Sequence, residues 1–113
     1  MDIPLMKTLV LLLAILATSA AAQQRLSVPS DSKATYLVLE KAGKGAVRTI
    51  ITKRSGSSGE SFSKREYDCS RSLVRYLGTG DTPQEMRASR PKDQLSPIVS
   101  GSIAYWVGVE ACS

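Results

Sequence analysis

The chain has 113 residues, of which 15 are Lys or Arg, 10 are Asp or Glu, two are Cys and none is His. This length suits one domain, and 42% hydrophobic with 22% charged residues is ordinary for a globular protein, unlike a disordered or collagen-like chain. Without His there is no Ser-His-Asp or Cys-His catalytic arrangement, and two Cys are too few for a cysteine-only zinc site or an iron–sulfur cluster. We therefore expect neither a metal site nor a cofactor.

Residues 1–22 have the pattern of a signal peptide. Lys7 supplies the positive charge, residues 9–17 form an apolar run, and Ala20-Ala21-Ala22 offers the small residues of a cleavage site. The apolar run is well short of the ~20 residues that cross a bilayer. We therefore predict an exported protein without a permanent membrane anchor, in the periplasm or at the cell surface. Met6 is an alternative start of the same precursor.

Export changes the interpretation of the two cysteines. In an oxidising compartment, two cysteines of a small domain most often pair, and Cys69 and Cys112 are the only pair within the chain. The bridge would close a loop of roughly 44 residues, which contributes about 4 kcal/mol by the chain-entropy argument. A reactive thiol is the alternative, but no His and no Cys-x-x-Cys spacing supports it.

Next in the chain, residues 23–34 are polar, and we expect a flexible leader there. Four later segments have the composition or alternation of β-strands, at residues 35–40, 46–53, 62–69 and 72–77. In the third, Arg65 and Tyr67 should share one face, with Lys64 on the other. The small residues Ser55-Gly56-Ser57-Ser58-Gly59 predict a flexible loop. Because no helical segment separates the strands, the sheet should be antiparallel.

Two segments after the strands are candidates for helices. A short helix could begin with Pro83 at its first position. Ile103 to Cys112 is apolar almost throughout; Gly108 and three β-branched residues would suit a strand, whereas Ser100 or Ser102 could cap a helix. We favour the helix.

These elements predict an α+β fold for a single small domain over residues 35–113. It would consist of a four-stranded antiparallel sheet packed by a C-terminal helix, with one disulfide. The helix would bring Cys112 back to Cys69 at the end of the third strand.

Three short motifs follow one another in the second half of the chain. They are Tyr67-Asp68-Cys69, Arg75-Tyr76-Leu77 and Ser96-Pro97-Ile98-Val99-Ser100-Gly101-Ser102, and the series ends at Ala111-Cys112. This series resembles the bacterial surface-adhesin protein E-like family of small exported proteins, over roughly residues 35–112. The resemblance implies an antiparallel sheet with a C-terminal helix tied by a disulfide. In some members it also implies binding of host or matrix proteins.

Basic side chains are concentrated in the segments predicted to form the sheet. Five of them are the candidate ligand-binding residues, Arg48, Lys64, Arg65, Arg71 and Arg75. On an uncovered sheet face they could form a basic patch that attracts an anionic polysaccharide or an acidic protein segment. Alternatively, they are solvated charges that protect edge strands from aggregation. Nucleic acid is not an expected partner, because the chain is exported and few aromatic residues lie between the basic ones.

Paired carboxylates would be the remaining route to enzyme chemistry. Glu66 and Asp68 should share a strand face about 7 Å apart, but a small domain with one thin sheet has little room for a glycosidase cleft. We therefore predict a non-enzymatic binding module of the bacterial envelope, with adhesin-like recognition of host proteins, matrix proteins or anionic ligands. The alternative is a periplasmic structural or accessory protein without an external ligand. The sequence leaves the ligand and the oligomeric state open.

Overall fold

A computed structural model describes residues 23–113, so the predicted signal peptide over residues 1–22 lies outside the described part of the chain. The described residues form one antiparallel sheet with the strand order β1-β2-β3-β4-β5-β6. The strands are β1 (Gln24–Leu26), β2 (Thr35–Lys44), β3 (Val47–Gly56), β4 (Gly59–Asp68), β5 (Leu73–Gly80) and β6 (Ser96–Pro97). The helices are a 3-10 helix (Pro29–Asp31), α1 (Pro83–Ala88) and α2 (Ile103–Ala111). The α+β class, the antiparallel sheet and the C-terminal helix are confirmed.

The prediction of four strands is wrong, because the sheet has six. The two extra strands are short and lie at the sheet edges. β1 falls inside residues 23–34, which we expected to be a flexible leader, and it pairs with β2 through Leu26 and Tyr36. β6 contains only two residues. Strands of two or three residues are too short for an alternating pattern to reveal them.

The central hairpin is longer than its composition suggests. β3 and β4 stay paired as far as Gly56 and Gly59, so that only Ser57 and Ser58 remain in the turn. Gly59 has a φ of +111°, which glycine adopts without the clash that a Cβ would cause. The prediction of a flexible loop over residues 55–59 is therefore wrong, because backbone pairing there needs no apolar side chain.

The two α-helices cover opposite faces of the sheet. α2 packs on the face that carries Val38, Ile50 and Tyr67, and these residues form the buried core with Val107 and Ala111 of the helix. On the other face, the backbone of α1 approaches β5 so closely that a side chain at position 78 would collide with the helix. We call these faces the α2 face and the α1 face. No helix within residues 23–113 combines the length and the apolar character that crossing a membrane requires.

Tyr67 of β4 and Cys69, just after β4, hold the two ends of α2. The hydroxyl of Tyr67 donates a hydrogen bond of 2.6 Å to the carbonyl of Ala104 in the first turn of α2. At the other end, the predicted disulfide joins Cys69 to Cys112, with 5.7 Å between the Cα atoms. Ser102 caps the helix by accepting a hydrogen bond from the backbone N–H of Tyr105. α2 is therefore fixed against the sheet near both of its ends.

Candidate anion-binding site

The structure does not bring the five predicted basic residues together. Arg48 and Arg65 lie on the α2 face and Lys64 and Arg75 on the α1 face, because neighbouring strand residues point to opposite sides. Arg71 is in the turn after β4. The Nε of Arg71 lies 2.7 Å from Asp68, and that of Arg75 lies 2.9 Å from Glu66, so both charges are compensated.

Of these five residues, Arg65 has an unusual environment. It is only 5% exposed, and its guanidinium carbon lies 4.8 Å from the centre of the Tyr76 ring. Its Nη2 donates to the Tyr76 hydroxyl at 3.0 Å, and its Nη1 donates to Oγ1 of Thr52 at 3.3 Å. Its Nε is buried and lacks a hydrogen-bond partner within residues 23–113.

No carboxylate of the described chain forms an ion pair with Arg65. A buried cation without an opposite charge is costly, because it gives up hydration and gains no equivalent attraction. Aromatic stacking and hydroxyl acceptors offset only a part of that cost. The position of Arg65 is therefore not explained by the stability of the fold.

A bulge brings Arg65 and Tyr76 opposite each other. The β4–β5 register shifts between Lys64, which pairs with Gly78, and Arg65, which pairs with Tyr76. Leu77 is the additional residue on β5 at this point. Bulges of this kind redirect side chains and are over-represented next to functional sites.

Two cavities meet at Arg65 and Tyr76, which line both of them. The first, which we call the hydroxyl cavity, has a volume of about 160 Å³; its other lining residues are Tyr36, Thr52, Arg54, Ser61, Ser63 and Ile103. The second, which we call the β6 cavity, has a volume of about 350 Å³; its other lining residues are Val74, Arg75, Asp93, Gln94, Ser96 and Ala104.

The second guanidinium of the hydroxyl cavity, that of Arg54, is neutralised. Its Nε donates to Asp31 at 2.7 Å, and the Tyr36 hydroxyl donates to the same carboxylate oxygen at 2.5 Å. The hydrogen bond from Arg54, followed by that from Tyr36, lowers the pKa of Asp31. Burial, together with the hydrogen bond to Asp31, raises the pKa of Tyr36 to about 12. Arg65 is thus the uncompensated positive charge among the residues that line this cavity.

The first turn of α2 forms part of the lining of both cavities, through Ile103 and Ala104. The N-terminal end of a helix carries a partial positive charge, because its first N–H groups have no partners within the helix. This partial charge adds to the positive electrostatic potential that Arg65 produces in the two cavities. The arrangement can accept a small anionic group and supply it with N–H and O–H donors.

The sequence pattern indicates Arg65 as a candidate but does not indicate the residues that surround it. The polar composition of residues 23–34 predicts a flexible leader around Asp31, although Pro29 begins the 3-10 helix that positions it. A proline followed two residues later by an acidic side chain is typical of a helix start, and this was the signal available in the sequence. The serines of β4 carried no recognisable motif.

Lys64 contributes to a different site, on the α1 face. It lines a cavity of about 370 Å³, whose other lining residues are Glu40, Ile51, Leu77, Met86, Arg87 and Arg90. The two arginines are exposed, so their charges are hydrated, in contrast to that of Arg65. No group of three or more potential metal-ligating side chains occurs in the described residues.

Comparison of the chain with protein-family models, with curated proteins and with solved structures found no match in any of the three.

Proposed function

We propose that the protein is an exported, non-enzymatic binding module of the bacterial envelope that recognises an anionic group of its ligand at Arg65. The observation that carries this proposal is the buried guanidinium of Arg65, which has no carboxylate partner in the described chain and faces donor-lined space. A buried charge of this kind is stabilised when a ligand supplies the missing counter-ion. Carboxylate, sulfate and phosphate oxygens share this chemistry.

The chemistry of the cavity supports recognition of an oxyanion. Charge-assisted hydrogen bonds from a guanidinium are stronger than neutral ones, and the planar fork of Arg matches two oxygens of one group. The hydroxyls of Thr52, Ser61 and Ser63 can donate to the same group. The formal net charge of +5 would speed the approach of an anionic partner.

The resemblance to the surface-adhesin protein E-like family supports an adhesin-like role, in which the anionic group belongs to a host or matrix protein or to an anionic polysaccharide. The costly buried position of Arg65 favours this role over that of a structural protein without an external ligand. A ligand that supplies the counter-ion offsets the cost of the buried charge, and a protein without a ligand lacks this compensation.

Anion binding can be tested by titrating the purified exported protein, labelled with ¹⁵N, with acetate, sulfate and phosphate. We expect saturable shifts at the Arg65 side chain and at the amides of Thr52 and Ser63. Arg65→Gln should weaken binding at least tenfold, and Arg65→Lys should restore it only in part, because an ammonium lacks the fork. Lys44→Gln removes one exposed charge and is the matched control, since it should change the affinity less than twofold.

Two results would overturn the proposal. One is the absence of saturable shifts with all three anions in the folded wild-type protein. The other is an equal loss of affinity in the Lys44→Gln and Arg65→Gln variants, because binding would then depend on overall charge alone. The melting temperature of each variant shows that the comparison is made between folded proteins.

The location is tested separately, by treating intact and lysed cells with protease. An adhesin-like protein should be degraded on intact cells. Survival until the envelope is broken would place the protein in the periplasm and restrict its ligands to envelope components.

A further inference from the structure

The β6 cavity contains charges of both signs that do not pair with each other. Arg65 and Asp93 both line the cavity, and neither forms an ion pair within the described residues. The third charged group, Arg75, is already paired with Glu66. The cavity therefore presents one free positive and one free negative charge to whatever enters it.

The remaining lining gives the cavity a polar side and an apolar side. Gln94 and Ser96 supply amide and hydroxyl groups close to Asp93 in sequence, whereas Val74 and Ala104 supply aliphatic surface. A volume of about 350 Å³ is at the lower end of the range for ligand pockets, which start at roughly 300 Å³. The space suits a small molecule or one terminal residue of a larger one.

Building on the proposed function, we infer that the anionic group held at Arg65 belongs to a zwitterion of amino-acid size. Its carboxylate binds Arg65, its ammonium group binds Asp93, and its aliphatic part contacts Val74 and Ala104. This ligand class is favoured because it compensates both free charges at once. A ligand with hydroxyls in place of the ammonium group would gain no charge–charge attraction from Asp93.

Three related probes separate the contributions of the two charges. Leucine carries both charged groups, N-acetyl-leucine carries only the carboxylate, and leucine amide carries only the ammonium group. Each is titrated into the ¹⁵N-labelled full-length exported protein. We expect leucine to bind at least tenfold more tightly than either derivative, with shifts at Val74, Ala104 and the Arg65 side chain.

Substitution of Asp93 then provides the decisive comparison. Asp93 is exposed, so Asp93→Asn should fold like the wild type. This variant should bind leucine as weakly as N-acetyl-leucine while its affinity for N-acetyl-leucine stays the same. Asp81→Asn removes another exposed carboxylate outside the cavity and should change neither affinity.

The outcomes distinguish a failure of this inference from a failure of the proposed function. Equal Arg65-dependent binding of leucine and N-acetyl-leucine would overturn the inference and leave the proposed function intact. Leucine binding that is unaffected by Asp93→Asn would also overturn it. Failure of all three probes would overturn it too, and the proposed function would then be judged by acetate, sulfate and phosphate.

Discussion

Gly108 of α2 and Tyr67 of β4 are in such close contact that a Cβ atom on Gly108 would lie 2.6 Å from Cε1 of the tyrosine ring. The ring is completely buried, and its hydroxyl reaches Ala104, one turn earlier in the same helix. Tyr67 therefore sets the distance between α2 and the sheet. Because the first turn of α2 borders both cavities at Arg65, this distance also sets their depth.

Replacing Gly108 with Ala should destabilise the protein. Ala is favoured over Gly within a helix by about 1 kcal/mol, but overpacking against a rigid aromatic ring costs roughly 1–3 kcal/mol. We expect a lower melting temperature, measured by circular dichroism. Val109→Ala is the control because Val109 is 53% exposed and should be nearly neutral. A Gly108→Ala protein as stable as the wild type would show that α2 is not held at this distance.

The disulfide should supply a large share of the stability. Cys69 and Cys112 are 43 residues apart, and a loop of that length contributes about 4 kcal/mol by the chain-entropy argument. For a domain of this size that corresponds to roughly 15–30 °C in the melting temperature. We expect this decrease in the Cys69→Ser, Cys112→Ser double variant and in wild type treated with a reductant. A change of only a few degrees in both would show that the bridge contributes little.

Asp68 should make the protein sensitive to acid. Hydrogen bonds from Arg71 and Ser70 lower the pKa of Asp68 to about 2 from an ordinary value of 3.8. A lowered pKa in the folded state means that the contribution to stability is complete above about pH 4 and is lost as the pH falls towards 2. In urea unfolding between pH 5 and pH 2, Asp68→Asn should be less stable than wild type at pH 5, with the difference shrinking towards pH 2. Asp81→Asn should keep the wild-type dependence, and a constant difference between wild type and Asp68→Asn would contradict the prediction.

The sequence predicts the centre of the fold well because local rules govern it. Alternation along β4 correctly placed Arg65 and Tyr67 on one face and Lys64 on the other. Ser102 was recognised as one of two possible caps of α2, since its side chain can accept a backbone hydrogen bond at a helix start. These features depend on residues within a few positions of each other.

The candidate site was only partly predictable because it depends on long-range register. Uninterrupted pairing from Lys64 and Gly78 would have placed Leu77 opposite Arg65, and the bulge places Tyr76 there instead. No local pattern specifies that shift. Nor does the sequence indicate that Asp31 neutralises Arg54, 23 positions away, and so leaves Arg65 as the free charge.

Replacing Arg65 with Met separates a functional role of its guanidinium from a structural one. Arg65→Met keeps an unbranched side chain over the Tyr76 ring and removes the buried charge, so we expect a stability equal to that of wild type or up to roughly 2 kcal/mol higher. Anion binding should be lost at the same time. Arg54→Met is the matched comparison, because it leaves the Asp31 carboxylate without its guanidinium partner and should lower the melting temperature. If Arg65→Met is destabilised as strongly as Arg54→Met, the buried guanidinium serves the fold, and its unpaired charge no longer argues for a ligand.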